Sequence, residues 1–233
     1  MSNGQTADYW ALYWRNRDRL KSDDPHFQVG RTVGGVPIDA QNWEFHLGEI
    51  ESALSLQPHD TLLDLCAGNG MISMPLSLKC KATTVVDISE ALLQNIDVQE
   101  YPTIEVLVGD LRSIALPPQS FSKGLMYGAL QYFNERETIG VFETIYNALM
   151  PRGEYLIGDI PDIDRLFQFY RKPEWVRVYF DSIKAGTPAV GHWFKQEVLM
   201  SLAHHVGFGS AKVIYQHPNL LNSHYRFDLL LTK

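Results

Sequence analysis

The sequence predicts an α/β protein built on a doubly wound sheet of about seven strands, mostly parallel, with the last strand antiparallel. Three observations carry this reading. Between Asp60 and about Asp159, short apolar runs alternate strictly with helical segments, as they do where buried parallel strands are joined by crossover helices. One of these runs ends at Asp64 in a glycine turn, Cys66-Ala67-Gly68-Asn69-Gly70, which lets a ligand approach backbone at the start of a helix. The last two apolar runs are joined by QHPNLLNSH, too short and too polar for a crossover helix, so they should pair as an antiparallel hairpin.

Composition narrows the possibilities. At 233 residues the chain is expected to form one domain with a full core. With 45% hydrophobic and 20% charged residues it is neither a disordered chain nor a coiled coil. The net charge of −7 speaks against a nucleic-acid partner, whose phosphates need clustered Lys and Arg. The one dense basic stretch, Arg15 to Lys21, reads as a solvated helix face. Cys66 and Cys80 have neither metal-ligand nor disulfide-framework spacing, so no metal is expected and a reducing cytoplasm fits best. The N-terminus has no apolar export signal and no window approaches a membrane span, so no membrane partner is expected.

Taken in order, residues 1–58 form a helical arm. It starts with an aromatic-rich helix (Tyr9, Trp10, Tyr13, Trp14) and continues through the Gly-rich FQVGRTVGGVP. A second helix, capped by Asp39, then carries Trp43, Leu47, Ile50 and Leu54 on one face. Residues 59–160 form the core, with strands in TLLDLCA, ATTVVDI, IEVLVGD, KGLMYGA and GEYLIGD. Asn134 and Glu137 make a capping box for a helix whose apolar face is Ile139, Phe142, Tyr146 and Leu149, stopped by Pro151 and Gly153. Residues 161–196 break the rhythm with an aromatic-rich helical insertion, expected to be a substrate lid. Residues 197–233 complete the chain, with a helix over Lys195 to His205 ending at Gly207 and strands near Ala211–Tyr215 and Tyr225–Leu231.

Three acids sit where ligands bind in such sheets, just outside the carboxyl ends of strands: Asp64, Asp87 and Asp110. Asp64 precedes the glycines, where a carboxylate repels a pyrophosphate and suits an ammonium group. Asp87, after the second strand, suits the two hydroxyls of a ribose, and Asp110, after the third, an exocyclic adenine amine. A dinucleotide fingerprint wants a third small glycine-like residue where Ser73 stands.

With these motifs the sequence resembles the class I S-adenosylmethionine-dependent methyltransferases. LLDLCAGNG, VVDIS, the GD pair at 109–110, YGALQYF, LMPRGEYLIGD and the final hairpin all match. The family usually carries three alternate glycines in its first motif, and Cys66 occupies the first of those positions. The resemblance implies a Rossmann-like fold and S-adenosyl-L-methionine as cofactor. It implies that Asp64 and the backbone of Cys66, Ala67, Gly68, Asn69 and Gly70 hold the methionine moiety, and that Asp87 holds the ribose. Ile88 and Leu111 would flank the adenine, Asp110 would take its amine, and Tyr127 and Gly128 would run beside the sulfonium. Gln131 and Tyr132 fall in a stretch that faces substrate.

Methyl transfer asks chiefly for alignment and exclusion of water, with a base for some acceptors. Arg31 suits the cofactor's carboxylate, against the alternative of a surface loop residue. His192 and Tyr127 are the candidate catalytic residues, with His46 ranked behind His192, and Trp193 is a candidate substrate contact. The arm aromatics could close over a sulfonium, but their spacing equally fits one buried helix stripe. The expected acceptor is a small organic molecule, a sugar or secondary metabolite. A nucleotide-dependent oxidoreductase and a catalytically silent partner subunit are the alternatives, and monomer and homodimer are both open.

Overall fold

Leu62 faces one side of the sheet and Leu63 the other, and both are buried, as are Val85, Val86, Leu125 and Met126 on the neighbouring strands. Strands apolar on both faces need helices on both faces, which is the physical reason for a doubly wound sheet. The structure, a computed structural model, describes residues 5–16, 22–33 and 35–233.

The arm comprises α1 (Gln5–Arg15), α2 (Pro25–Gln28), a two-stranded antiparallel ribbon of β1 (Thr32–Val33) and β2 (Val36–Pro37), and α3 (Ala40–Leu54). The core follows as β3 (Thr61–Leu65), α4 (Ser73–Ser77), β4 (Ala82–Asp87), α5 (Glu90–Leu93), β5 (Ile104–Val108), β6 (Phe121–Tyr127), α6 (Glu135–Ala148) and β7 (Leu149–Pro161). The chain closes with α7 (Leu166–Phe169), α8 (Pro173–Ala185), α9 (Gln196–Val206), β8 (Ser210–Tyr215) and β9 (Arg226–Thr232). The seven long strands lie in the order β5-β4-β3-β6-β7-β9-β8. The first five are parallel, and β9 inserts antiparallel between β7 and β8.

Two cores result. On one face Ile50 and Leu54 of α3 pack with Leu62, Leu76, Leu125 and Leu156. On the other, Phe142 and Ile145 of α6 and Ala203 of α9 pack with Leu63, Leu65 and Leu229. The predicted caps appear: Asp39 accepts from the Asn42 amide at 2.8 Å, and Asn134 with Glu137 forms the full capping box. Gly207 ends α9 at φ +120. That helix begins one residue later than predicted, with Lys195 as its cap.

Other expectations need correction. The buried stripe of α6 is Thr138, Val141, Phe142, Ile145 and Ala148, so the face is turned by one residue and Ile139 is 41% exposed. The sequence spacing 139-142-146-149 is as helical as the true one, and only packing against α9 selects between them. The stop assigned to Pro151 and Gly153 comes earlier, because β7 already pairs with β6 from Leu149. The insertion does fold into helices, but α8 has no buried residue, and Phe167, Trp175 and Phe180 face outward.

The core assignment is testable by chemical unfolding. Phe142→Ala is expected to cost about 3–5 kcal/mol through the cavity it leaves, and Ile139→Ala less than about 1 kcal/mol. Equal costs would mean that the helix presents the face read from sequence.

Candidate functional site

The turn after β3 takes left-handed backbone at three alternate positions, Cys66 (φ 60), Gly68 (φ 60) and Gly70 (φ 76). The glycines are required by more than φ. A Cβ on Gly68 would lie 2.9 Å from Val29 Cγ1, and one on Gly70 would lie 2.5 Å from Ile96 Cγ1. Cys66 adopts the same conformation with a side chain, at a strain cost of about 1 kcal/mol or more.

The strand register brings the acids to one edge: Leu65 lies opposite Val86, and Asp87 opposite Val108. Every cofactor residue expected from the sequence except Gly70 lines a single pocket there, together with Arg31, Gln131 and Tyr132. Its cavity volume is about 190 Å³. Gly70 turns away into the packing against Ile96.

Each acid is held differently. Asp64 is buried and accepts from the Ser73 hydroxyl. Burial pushes its carboxyl up to about 7, reinforced by the Asp87 charge. Asp87 accepts from the amides of Gly68 and Ser89, both at 2.8 Å, so it ties the glycine turn to the end of β4. Burial raises it too, against those two hydrogen bonds. Asp110 receives the fork of Arg112, with Nε at 2.8 Å and Nη2 at 2.5 Å, and hydrogen bonds from that guanidinium hold its carboxyl below the usual range.

The arm covers the turn. Asn69 donates to the Pro25 carbonyl at 2.9 Å and to Gln28 Oε1 at 2.8 Å. Arg31 stacks over Trp43 and Tyr127, 5.4 and 5.1 Å from their ring centroids, and makes no ion pair among the described residues. Its Nη1 lies 3.4 Å from His46 Nε2. Burial, with the Arg31 charge, drives His46 down to about 3, so that imidazole is neutral. Trp10 and Trp14 of α1 also line the pocket, their rings 4.6 and 5.3 Å from that of Tyr132.

A second polar group, absent from the sequence reading, closes the far end. Asp159 lies in β7 just past Gly158, the last residue paired with β6, at φ 59, and Arg226 donates to its carbonyl and pairs with its carboxylate at 3.4 Å. The Asp159 amide donates to Asp228 at 2.8 Å, and Gln216 donates to Asp228 at 2.7 Å. Burial opposes ionisation of Asp159, but Arg226 and Arg31 outweigh it and hold the carboxyl below its ordinary value. Asp159, Gln216, Asn222 and Arg226 line the pocket. A signal for Asp159 was present, since it is a fourth acid at a strand's carboxyl end. For Gln216 and Asn222, in the QHPNLLNSH link, none was.

Three expectations are not met in position. None of residues 161–196 lines the pocket, so the insertion does not wall it. His192 lies in an adjoining groove with Asn134, Glu137 and Asn147. Its amide donates to the Gln131 carbonyl at 2.8 Å, and the residue does not line the pocket. Trp193 is drawn into a cluster with Phe169, Tyr170 and Tyr225. Of the basic stretch, residues 17–21 lie outside the described residues. No helix is long and apolar enough to cross a membrane among the described residues.

Residues 62–153 match the family model of a methyltransferase domain. No curated protein matches the sequence. Among solved structures, the chain is similar to an S-adenosylmethionine-dependent methyltransferase of Thermotoga maritima, a possible histamine N-methyltransferase. They share 19% identity with TM-score 0.62, over 96% of this chain and 99% of that one. It is also similar to Haemonchus contortus phosphoethanolamine N-methyltransferase 1, solved with phosphoethanolamine and S-adenosylhomocysteine. There identity is 13% and TM-score 0.71, over 100% of this chain and 50% of that one. A TehB-like S-adenosylmethionine-dependent methyltransferase of Corynebacterium glutamicum aligns at 16% identity and TM-score 0.57, over 99% and 100%. At such identities the likeness is one of fold.

The buried network carries its own pH dependence. Burial, reinforced by the Asp159 charge, pushes Asp228 up to about 7, while an unfolded Asp titrates near ~3.9. Its protonated form therefore favours the native state fully below pH ~4, and that contribution is lost as pH rises towards about 7, at up to ~1.4 kcal/mol per unit. Unfolding of Asp228→Asn measured from pH 4 to 8 should show a flatter profile than the parent, and an unchanged slope would contradict the assignment.

Proposed function

We propose that the chain, whose residues 62–153 match a methyltransferase domain, is a class I S-adenosylmethionine-dependent methyltransferase that methylates a small organic acceptor. A sugar or a secondary metabolite is of the right size. The observation that carries the acceptor class is the pocket itself. A pocket of about 190 Å³ lined by Trp10, Trp14 and Tyr132 suits a small molecule. The Haemonchus contortus structure, holding phosphoethanolamine with S-adenosylhomocysteine, is an instance of this fold with a small acceptor beside the donor product.

The residues present fit the cofactor. Arg31 is a guanidinium without a carboxylate among the described residues, and suits the methionine carboxylate. Asp64 is a buried carboxyl without an ion-pair partner among the described residues, and suits the methionine ammonium, directly or through water. Asp87 keeps acceptor capacity beyond its two amide bonds for ribose hydroxyls, and Asp110 keeps some for the adenine amine flanked by Ile88 and Leu111. When bound, S-adenosylmethionine supplies an electrophilic methyl group on a sulfonium.

The protein's share of the work is placement and exclusion of water. Gly128, at φ 72, presents bare backbone beside the acceptor space, and the side chain of Gln131 is pinned to its carbonyl at 2.7 Å. Burial keeps the Tyr127 hydroxyl protonated, so Tyr127 acts by holding the Arg31 guanidinium and Gln216. Trp10, Trp14 and Tyr132 shut out solvent.

Calorimetric titration with S-adenosylhomocysteine should give saturable binding, weakened about tenfold or more in Asp87→Ala. No binding at millimolar ligand would overturn the reading. The same titration has a pH signature. Asp64 is protonated below about 7 and must ionise to receive an ammonium, so affinity should rise from pH 6 to 7.5 and then level off. Asp64→Asn should flatten that rise, and a flat profile in the parent would remove Asp64 from the role.

A further inference from the structure

We propose that the acceptor is a small amine, whose N–H groups are received by the carboxylate of Asp159 and the side-chain oxygens of Gln131 and Gln216. The inference rests on the methyltransferase reading above and names the class of acceptor that this site takes.

The placement comes from the sheet. Tyr127 pairs in register with Gly158, so Asp159 comes level with Gly128. A Cβ on Gly128 would sit 3.6 Å from Asp159 Oδ2. Gln131 Nε2 reaches the carbonyl of the same glycine. A carboxylate and an amide therefore flank the bare backbone of Gly128.

What these groups lack decides the ligand. Gln131 must point its nitrogen at the Gly128 carbonyl, and Gln216 must point its own at Asp228, so the two Oε1 atoms are left over. Both have no partner among the described residues, although Gln131 is 3% and Gln216 9% exposed. Buried acceptors of that kind call for donors from a ligand. Asp159 has capacity as well, because its contacts to Gln216, Asn222 and Arg226 are long, at 3.3–3.5 Å. Three acceptors on residues that line one small pocket suit an amine with two N–H bonds better than a hydroxyl with one. One buried donor, Trp10 Nε1, is also without a partner among the described residues and suits a polar group elsewhere on the same molecule.

The charge flow agrees. The amine gives up to solvent the proton it carries in water, and the lone pair so freed forms the new N–C bond as the S–C bond breaks, with the electron pair of that bond staying on sulfur. The product is a substituted ammonium. Positive charge thus moves from sulfur to nitrogen, and a fixed carboxylate beside the nitrogen stabilises it. An alcohol would need a base poised near the working pH. Around Gly128, His46 is driven down to about 3, Asp159 is held low and Tyr127 is pushed high, so none of the three is poised. Asp228, at about 7, is taken up by the Asp159 amide and Gln216 and does not line the pocket. Asp64, at about 7, sits at the glycine turn against Ser73. Asp159 is accordingly a positioning residue, not a base.

The test uses the whole protein saturated with S-adenosylhomocysteine, titrated with 2-phenylethylamine, 2-phenylethanol and 2-phenylethanethiol, and separately with 3-methylbutylamine and 3-methylbutanol. Each amine should bind about tenfold or more tighter than its alcohol. With S-adenosylmethionine, labelled methyl should pass to the amines alone. Asp159→Asn should remove the preference for amine over alcohol and raise the amine KM about tenfold, while S-adenosylhomocysteine binds within about twofold of the parent. Alcohols or thiols that bind or react as well as the amines, or no binding by any of these probes to the loaded parent, would overturn the inference and leave the methyltransferase reading standing. Loss of S-adenosylhomocysteine binding by the parent would instead bring down both. The comparisons on the parent protein hold even where the variant fails to fold.

Discussion

Four carboxylates, Asp64, Asp87, Asp110 and Asp159, end parallel strands on one edge of the sheet, and gathering that much negative charge in a half-buried cleft is the constraint to which the surrounding residues answer. Four solutions coexist. Asp64 stays protonated to about 7 with the Ser73 hydroxyl on it, and Asp87 spends itself on two backbone amides. Asp110 takes the fork of Arg112, and Asp159 takes Arg226 with Arg31 behind it. An acid kept neutral by burial at the pocket wall suits a cation, whereas one already paired holds a shape.

The same constraint explains the strained backbone. Cys66, Gly68, Gly70, Gly128 and Asp159 all take left-handed conformations, and all lie where a parallel strand ends. Each bends the chain sharply enough for its neighbours to face the cleft. Asp159 pays this cost with a side chain, and it is clamped on its carbonyl by Arg226 and on its amide by Asp228. Strain at that position is held by the hairpin β8–β9, so the feature that sets the sheet's topology also shapes the far end of the pocket.

Much of this was legible in the sequence, because strand ends and glycine turns are local signals. The order Asp64, Asp87, Asp110 located the edge of the sheet where the pocket lies, and the short QHPNLLNSH link correctly required an antiparallel hairpin. What escaped depends on how distant segments meet. Ile139 and Thr138 are equally plausible on the buried side of α6 until α9 is placed against it. His192 follows Gly191, whose Cβ would lie 2.3 Å from the Gln131 carbonyl, and nothing local reveals that it does not line the pocket. The aromatics of 161–196 read as a lid because composition cannot tell an inward from an outward face. Gln216 and Arg226 gain meaning only when β9 inserts beside β7.

A crystal structure of the protein with S-adenosylhomocysteine tests the central claim most directly. Ribose hydroxyls on Asp87, the adenine amine at Asp110, and the sulfur facing a residual cavity bounded by Gly128, Gln131 and Asp159 are the expected result. Ligand density in the groove of His192, or a sulfur turned away from Gly128 and Asp159, would contradict it.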